Sequence, residues 1–316
     1  MKNITIMGGG VLGTQIAFQS AYCGFNVTIW LRSKGSIDRT KPKLESVKKS
    51  YIDAIKLMAT KEGKSVNNWC RGIVGKNEFD EKKCLKKVED AYKNIKLELD
   101  INKALKGADL VIEAMTEDFK AKKDLYLEIA PILGEKTIVV TNSSTMLPSK
   151  LAKYTGRPEK FLSLHFANSI WKNNTAEVMM HSKTDEKYFK EVIKFAENIN
   201  MIALPLRKEK SGYLLNSMLI PLLFSGLDLL VNGISDVESI DKAWTLGTGA
   251  PKGPFQILDT VGLKTAHEIV LMYVKIPSFL APYNFKGMEK LLKKYIDDGK
   301  LGMSSGEGFY KYNKTK

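Results

Sequence analysis

The feature that most restricts what this chain can become lies in residues 2–33, KNITIMGGGVLGTQIAFQSAYCGFNVTIWLRS. A short β-rich run, Ile4-Thr5-Ile6-Met7, passes directly into Gly8-Gly9-Gly10-Val11-Leu12-Gly13, with the spacing G-x-G-x-x-G. Ile16, Ala17, Phe18 and Ala21 then repeat on an apolar face until Gly24, and Val27-Thr28-Ile29-Trp30 supplies a second strand. Glycines alone mark ordinary turns, but strand, glycine turn, helix and strand in succession is the context in which this spacing binds a dinucleotide. In that context Gly8 permits the tight turn, Gly10 lets the backbone approach a pyrophosphate, and Gly13 lets the helix pack on the strand. The first-turn amides, at Val11 and Leu12, would then point at the phosphates with the positive end of the helix dipole behind them. Cofactor contacts are therefore expected at Gly8, Gly10, Val11, Leu12 and Gly13.

The end of the second strand bears on which dinucleotide. A fold of this kind that holds NAD(H) offers a carboxylate there to the ribose 2′-hydroxyl. This chain offers Leu31-Arg32-Ser33-Lys34, and the first carboxylate beyond is Asp38. A guanidinium and a hydroxyl suit a 2′-phosphate, because Arg makes planar, charge-assisted contacts with phosphate oxygens. Arg32 and Ser33 thus favour NADP(H) over NAD(H), the alternative being a solvated basic loop.

Further helices and strands complete the outline. Residues 40–93 read as one or two charged helices, with Ile52, Ile55 and Met58 at helical spacing. Strands are expected at 94–99, 108–114, 136–140, 161–164, 175–180 and 201–206, separated by helices at 101–106, 120–133, 148–154 and 186–198. One strand runs into Thr141-Asn142-Ser143-Ser144-Thr145, and open α/β sheets place ligand contacts at such carboxyl ends. From Ser211 the character changes to long apolar helices. Ser235-Asp236-Val237-Glu238 reads as a capping box, followed by helices around 257–272 and 287–298. The expected fold class is α/β, a doubly wound sheet of Rossmann type over residues 1–207, followed by an all-α C-terminal domain over 208–316.

Composition excludes several alternatives. The 49 Lys and Arg outnumber 35 Asp and Glu to give a formal net charge of +14, yet there is no arginine-rich arm and no zinc spacing. The excess is spread as lysine over helical faces, so no nucleic-acid partner and no metal site are expected. Three cysteines without C-x-x-C fit a reducing compartment. No signal peptide is expected, because the β-run reaches the glycine turn before an apolar segment of sufficient length can form, and the apolar run at 212–231 is interrupted by Asn216, Pro221 and Asp228. The expectation is a cytoplasmic protein with no membrane partner, whose apolar helix faces a core or a second copy.

Several separated pieces together resemble the short-chain L-3-hydroxyacyl-CoA dehydrogenases, a group that shares its plan with carnitine dehydrogenase and gulonate 3-dehydrogenase. They are the glycine turn, Val111-Ile112-Glu113-Ala114 with Glu117, Asn142-Ser143-Ser144, His165-Phe166-Ala167-Asn168, Glu177, Gly212 with Asn216, Gly253-Pro254, and Gly306-Glu307-Gly308-Phe309-Tyr310. The resemblance spans nearly the whole chain. It implies that His165 is the general acid/base, that Glu177 orients the imidazole, and that Ser144 and Asn216 hold the substrate oxygen. It further implies that Glu117 and Lys122 line the cleft for cofactor and acyl-CoA, that Asn142 lies beside the nicotinamide, and that the protein is a homodimer through its C-terminal domain.

The residue types suit that chemistry. Oxidising an alcohol by hydride loss needs a base that titrates near neutrality, which imidazole supplies. A carboxylate behind it fixes the tautomer and favours imidazolium as the proton arrives. Two departures bear on the substrate. The family's common His-Phe-Phe-Asn-Pro is here His165-Phe166-Ala167-Asn168-Ser169, which is expected to loosen a turn that proline would stiffen. Ser144-Thr145-Met146-Leu147-Pro148-Ser149 looks more like the gulonate branch. A short-chain acyl-CoA is the expected substrate; the alternatives are a free 3-hydroxy acid or a non-catalytic dinucleotide-binding protein.

Overall fold

A computed structural model describes residues 1–66 and 68–312 of the 316-residue chain. Residue 67, in the segment expected as charged helix, and the last four residues of the expected helical domain, 313–316, lie outside the described residues. The chain divides into two compact units, Met1–Leu214 and Leu215–Lys316.

The first unit is built on eight strands: β1 (Asn3–Met7), β2 (Asn26–Trp30), β3 (Lys96–Glu98), β4 (Leu110–Glu113), β5 (Ile138–Thr141), β6 (Phe161–Phe166), β7 (Thr175–Met179) and β8 (Ile202–Leu206). They form one sheet in the order β3-β2-β1-β4-β5-β6-β7-β8. Pairing is parallel everywhere except between β6 and β7. The strand order reverses between β1 and β4, and that switch point is where a doubly wound sheet opens a ligand crevice at its carboxyl edge.

Seven helices cover the sheet: α1 (Val11–Tyr22), α2 (Lys34–Ala59), α3 (Glu81–Asn94), α4 (Ile101–Leu105), α5 (Phe119–Ile129), α6 (Pro148–Ala152) and α7 (Glu186–Asn198). Four of them start at an aspartate. Asp80, Asp100, Asp118 and Asp185 each cap a helix by accepting a backbone N–H from its first turn. The central strands are mostly apolar because both faces are covered; Leu110, Val111, Ile112, Val139 and Val140 are fully buried.

One expectation needs correcting here. The charged helix starts at Lys34 rather than near Thr40, and Ser33 is its N-cap residue. What reads as a basic loop after β2 is therefore the first turn of α2. Gly35 and the polar positions around it carry no apolar period, so the pattern could not show the start.

The second unit holds α8 (Leu215–Val231), α9 (Val237–Thr248), α10 (Pro254–Val261), α11 (Leu263–Leu271) and α12 (Phe285–Asp297) around a core that includes Phe224, Phe255, Leu258, Met288 and Leu292. Ser235 does not cap α9. Asp236 does, its Oδ1 accepting from Ser239 N at 2.8 Å, which puts a carboxylate at the positive end of the helix. The stretch expected as one helix around 257–272 is broken at Gly262, whose φ of +97° no helix accepts. No helix among the described residues is long and apolar enough to cross a membrane.

Candidate active site

The glycine turn is shaped by close approach. Gly8 has a φ of +120°, and a Cβ there would lie 2.9 Å from the Ala114 carbonyl oxygen, so β1 and β4 leave no room for a side chain. A Cβ on Gly13 would collide with the Gly8 carbonyl. Gly10 differs. A Cβ on it would meet nothing nearer than the Ala114 oxygen at 3.9 Å, so its backbone faces open space. No side chain caps α1. An open backbone cradle at an uncapped helix N-terminus fits a pyrophosphate.

That space is a cleft of about 550 Å³ lined by Gly8, Gly10, Val11, Leu12, Arg32, Lys122 and Asn142 among others. Of the expected cofactor residues, Gly13 packs beneath the turn rather than lining the cleft. Ser33 and Glu117 also lie outside the lining, Ser33 with its Oγ 3.0 Å from that of Ser36, which does line it. Sequence reading missed Ser36, Arg39 and Lys43, all on α2 and all in the wall.

Two strands away, His165 stands on β6 in direct register with Glu177 on the antiparallel β7. Residues opposed in this way project from the same face of a sheet. Glu177 Oε2 lies 2.9 Å from His165 Nδ1, and both side chains are buried. A carboxylate can only accept, so the Nδ1 proton points at Glu177 and the Nε2 lone pair is left free to face the cleft loop. Ser144 Oγ, on the loop after β5, lies 3.1 Å from Nε2. Asn142 Oδ1 accepts from Phe166 N at 3.1 Å and so ties the ends of β5 and β6 together.

Tyr213 was not foreseen. Its ring stacks on His165 with centroids 4.4 Å apart and planes 13° apart, and its hydroxyl donates to Ser143 O at 2.6 Å. Leu214 N donates to Glu177 Oε1 at 2.9 Å. Burial, the largest effect, pushes the Tyr213 phenol well above its usual range, so it stays a neutral platform. The only signal was Gly212: it and Tyr213 both have positive φ, a tight reversal that brings the ring over the imidazole. Asn216 lies in the first turn of α8, in the second unit.

Beneath the Ser144 loop runs a buried polar network. Glu113, fully buried, accepts from Lys122 Nζ at 2.6 Å, Met115 N at 2.8 Å, Thr141 Oγ1 at 2.7 Å and Tyr126 Oη at 3.1 Å. Lys122 is 1% exposed and its ammonium also lies 3.3 Å from Glu117. Glu117 in turn accepts from Ser143 Oγ, from Thr145 N at 2.9 Å and from Thr145 Oγ1 at 2.8 Å. Burial would raise the Glu117 pKa, but those donors and the ammonium outweigh it and hold the carboxyl below its ordinary range.

The turn after His165 is not loosened by the loss of proline. Ser169 has a φ of +58°, which proline cannot adopt, and its N–H donates to Gln15 Oε1 on α1 at 2.8 Å. Its carbonyl accepts from Lys172 N and Asn173 N, each at 2.8 Å. A different set of bonds does the stiffening, and it connects this loop to the helix that carries the glycine turn.

A backbone cradle at a sheet switch point, with a carboxylate-backed imidazole on the same carboxyl edge, defines a dinucleotide-dependent oxidoreductase. The family description 3-hydroxyacyl-CoA dehydrogenase, NAD binding domain, matches residues 3–209, and that of the family's C-terminal domain matches residues 212–312. The chain belongs to the 3-hydroxyacyl-CoA dehydrogenase family, as its motifs implied. Mitochondrial hydroxyacyl-coenzyme A dehydrogenase of Mus musculus is 31% identical over 318 residues, covering 99% of this chain and 91% of that protein. Among solved structures, a diketoreductase described for substrate-directed dual catalysis of dicarbonyl compounds is 43% identical, with a TM-score of 0.84 and 99% of each chain covered. The (S)-3-hydroxybutyryl-CoA dehydrogenase PaaH1 from Ralstonia eutropha is 25% identical, with a TM-score of 0.77, covering 99% of this chain and 100% of that one.

Proposed function

We propose that the protein is a nicotinamide-dependent dehydrogenase acting on C3 of a short-chain 3-hydroxyacyl-CoA or its 3-oxo counterpart, with His165 as general acid/base. The observation that carries this reading is the imidazole held between Glu177 on Nδ1 and Ser144 beside Nε2. When bound, the nicotinamide ring takes up or supplies the hydride. In the oxidative direction the substrate hydroxyl gives its proton to Nε2 as the C3–H electron pair leaves, and a C=O bond forms. Glu177 stabilises the imidazolium so produced. In reduction the same proton returns to the oxygen. Ser144 and Asn216 are assigned to that oxygen, Asn142 to the nicotinamide edge, and Glu117 with Lys122 to the wall that holds the Ser144 loop.

The cofactor assigned is NADP(H) rather than the alternative NAD(H), on Arg32, which lines the cleft, and on the buried Leu31 standing where NAD(H) would meet a carboxylate. A homodimer is assigned to the helical unit, where Leu229, Ile234, Trp244 and Leu246 are exposed. A second substrate reading, a compound without CoA, is favoured by the 43% identity to the diketoreductase, which points to a dicarbonyl, and by the gulonate-like residues at 144–149, which point to a free 3-hydroxy acid.

The test is loss of nicotinamide absorbance with acetoacetyl-CoA, free acetoacetate and a simple 1,3-diketone in turn. The highest kcat/KM is expected for acetoacetyl-CoA. A diketone turned over faster would move the assignment to the second reading, and no turnover with any of them, despite cofactor binding, would sink the enzymatic one.

A further inference from the structure

The wall of the cleft formed by α2 carries charges that the reaction does not use. A Cβ on Gly9 would collide with Thr40 Oγ1, so the first turns of α2 sit directly on the glycine turn. Thr40 Oγ1 donates to Ser36 O at 2.7 Å, which fixes that turn. Arg39 Nη2 donates to Ser36 Oγ at 3.0 Å, and Arg32, just past β2, lines the same cleft. Lys43, one turn further along, reaches the Gly9 carbonyl with its Nζ at 3.5 Å. Among the described residues none of these three cations is ion-paired, whereas the Lys122 ammonium in the same cleft is bound to two carboxylates. The residues lining the cleft include no carboxylate at all.

We propose that Arg32, Ser36 and Arg39 form a recognition site for the 2′-phosphate of NADP(H), with Lys43 reading the pyrophosphate that both nicotinamide dinucleotides share. Two guanidiniums and a hydroxyl lining one cleft match a dianionic phosphate in charge and in donor type. A ribose 2′-hydroxyl, by contrast, finds Leu31 where it needs an acceptor. Ser36 is held by Arg39 and by Ser33, so the donors are oriented before the ligand arrives. This deepens the nicotinamide reading and rests on it, but it concerns binding and not the hydride step.

Equilibrium titrations of the intact protein with NADPH, NADH and adenosine 2′,5′-bisphosphate, without substrate, test it. NADPH is expected to bind at least about tenfold more tightly than NADH, and adenosine 2′,5′-bisphosphate to compete with it. Arg39→Ala should raise the NADPH Kd about 10- to 100-fold, the loss of one charge-assisted contact, while NADH changes less than about twofold. Arg39→Glu should invert the preference. Lys43→Met should weaken both dinucleotides by the same factor. Equal affinity of the wild type for NADPH and NADH, or equal weakening of both in Arg39→Ala, overturns the site, as does failure of NADPH to bind. Should the protein bind NADPH selectively yet turn over no 3-oxo compound, the phosphate site stands and only the dehydrogenase reading falls.

Discussion

Replacing Lys122 by Met is expected to destabilise the first unit by about 3 kcal/mol at neutral pH. The reasoning starts from Glu113, whose carboxylate has no exposure to water and whose compensating cation is Lys122 Nζ at 2.6 Å. Methionine keeps the apolar stem in place, so little of the cost is a cavity. Removing one partner of a buried ion pair costs about 3–5 kcal/mol because the other charge stays buried. The low end applies here, since Met115 N, Thr141 Oγ1 and Tyr126 Oη remain as donors to Glu113. Three of the four tryptophans, Trp30, Trp69 and Trp171, lie in the first unit, so urea unfolding followed by fluorescence reports mainly on it. With a slope near 3 kcal/mol per molar, the midpoint should fall by about 1 M. The double variant Glu113→Gln/Lys122→Met should recover about 1–2 kcal/mol, because neither charge is then left buried alone. A loss under about 1 kcal/mol in Lys122→Met, or a double variant no more stable than the single one, would refute this account of the network.

Three other outcomes are expected. Ser169→Pro should lower kcat more than it raises KM, because proline can neither hold a φ of +58° nor donate to Gln15, whereas Ser169→Gly should stay near wild type; equal activity of the two variants would contradict the clamp. Glu117 has its carboxyl pKa held below the ordinary 4.5, so the unfolded chain binds the extra proton between the two values, and the stability Glu117 contributes is present above pH 4.5 and lost as pH falls through the folded value. Glu117→Gln should therefore flatten the acid limb of a stability profile, and an unchanged limb would remove Glu117 from that role. Light scattering should give a dimer, and Leu246→Lys, at a residue 82% exposed, should shift it toward monomer; a wild-type monomer would contradict the helical interface.

His165 and Glu177 were each legible as strand residues, but only the resemblance paired them; the register that sets them opposite one another belongs to the antiparallel β6–β7 pair. The eight strands were legible because the central ones are mostly apolar runs that a sheet covered on both faces can bury. What escaped has a common physical character. Ser36, Arg39 and Lys43 look like the solvated face of a charged helix until α2 is seen to start at Ser33 and rest on the glycine turn. Tyr213 looks like an ordinary core aromatic, and its stacking depends on two consecutive positive φ values that no residue pattern announces. Gln15 and Gln19 interrupt the apolar face of α1 and bond to chain segments far away in sequence, Ser169, Gly72 and Ile199. Partners of that kind are set by tertiary structure and leave no local trace.

The most direct test of the acid/base assignment is the rate of hydride transfer in a single turnover, measured by stopped flow with saturating NADPH and acetoacetyl-CoA, in wild type and His165→Ala. Loss of a positioned general acid predicts a rate lower by about 10²–10⁴ with an NADPH Kd changed by less than about twofold. A variant that transfers hydride at close to the wild-type rate would contradict the account.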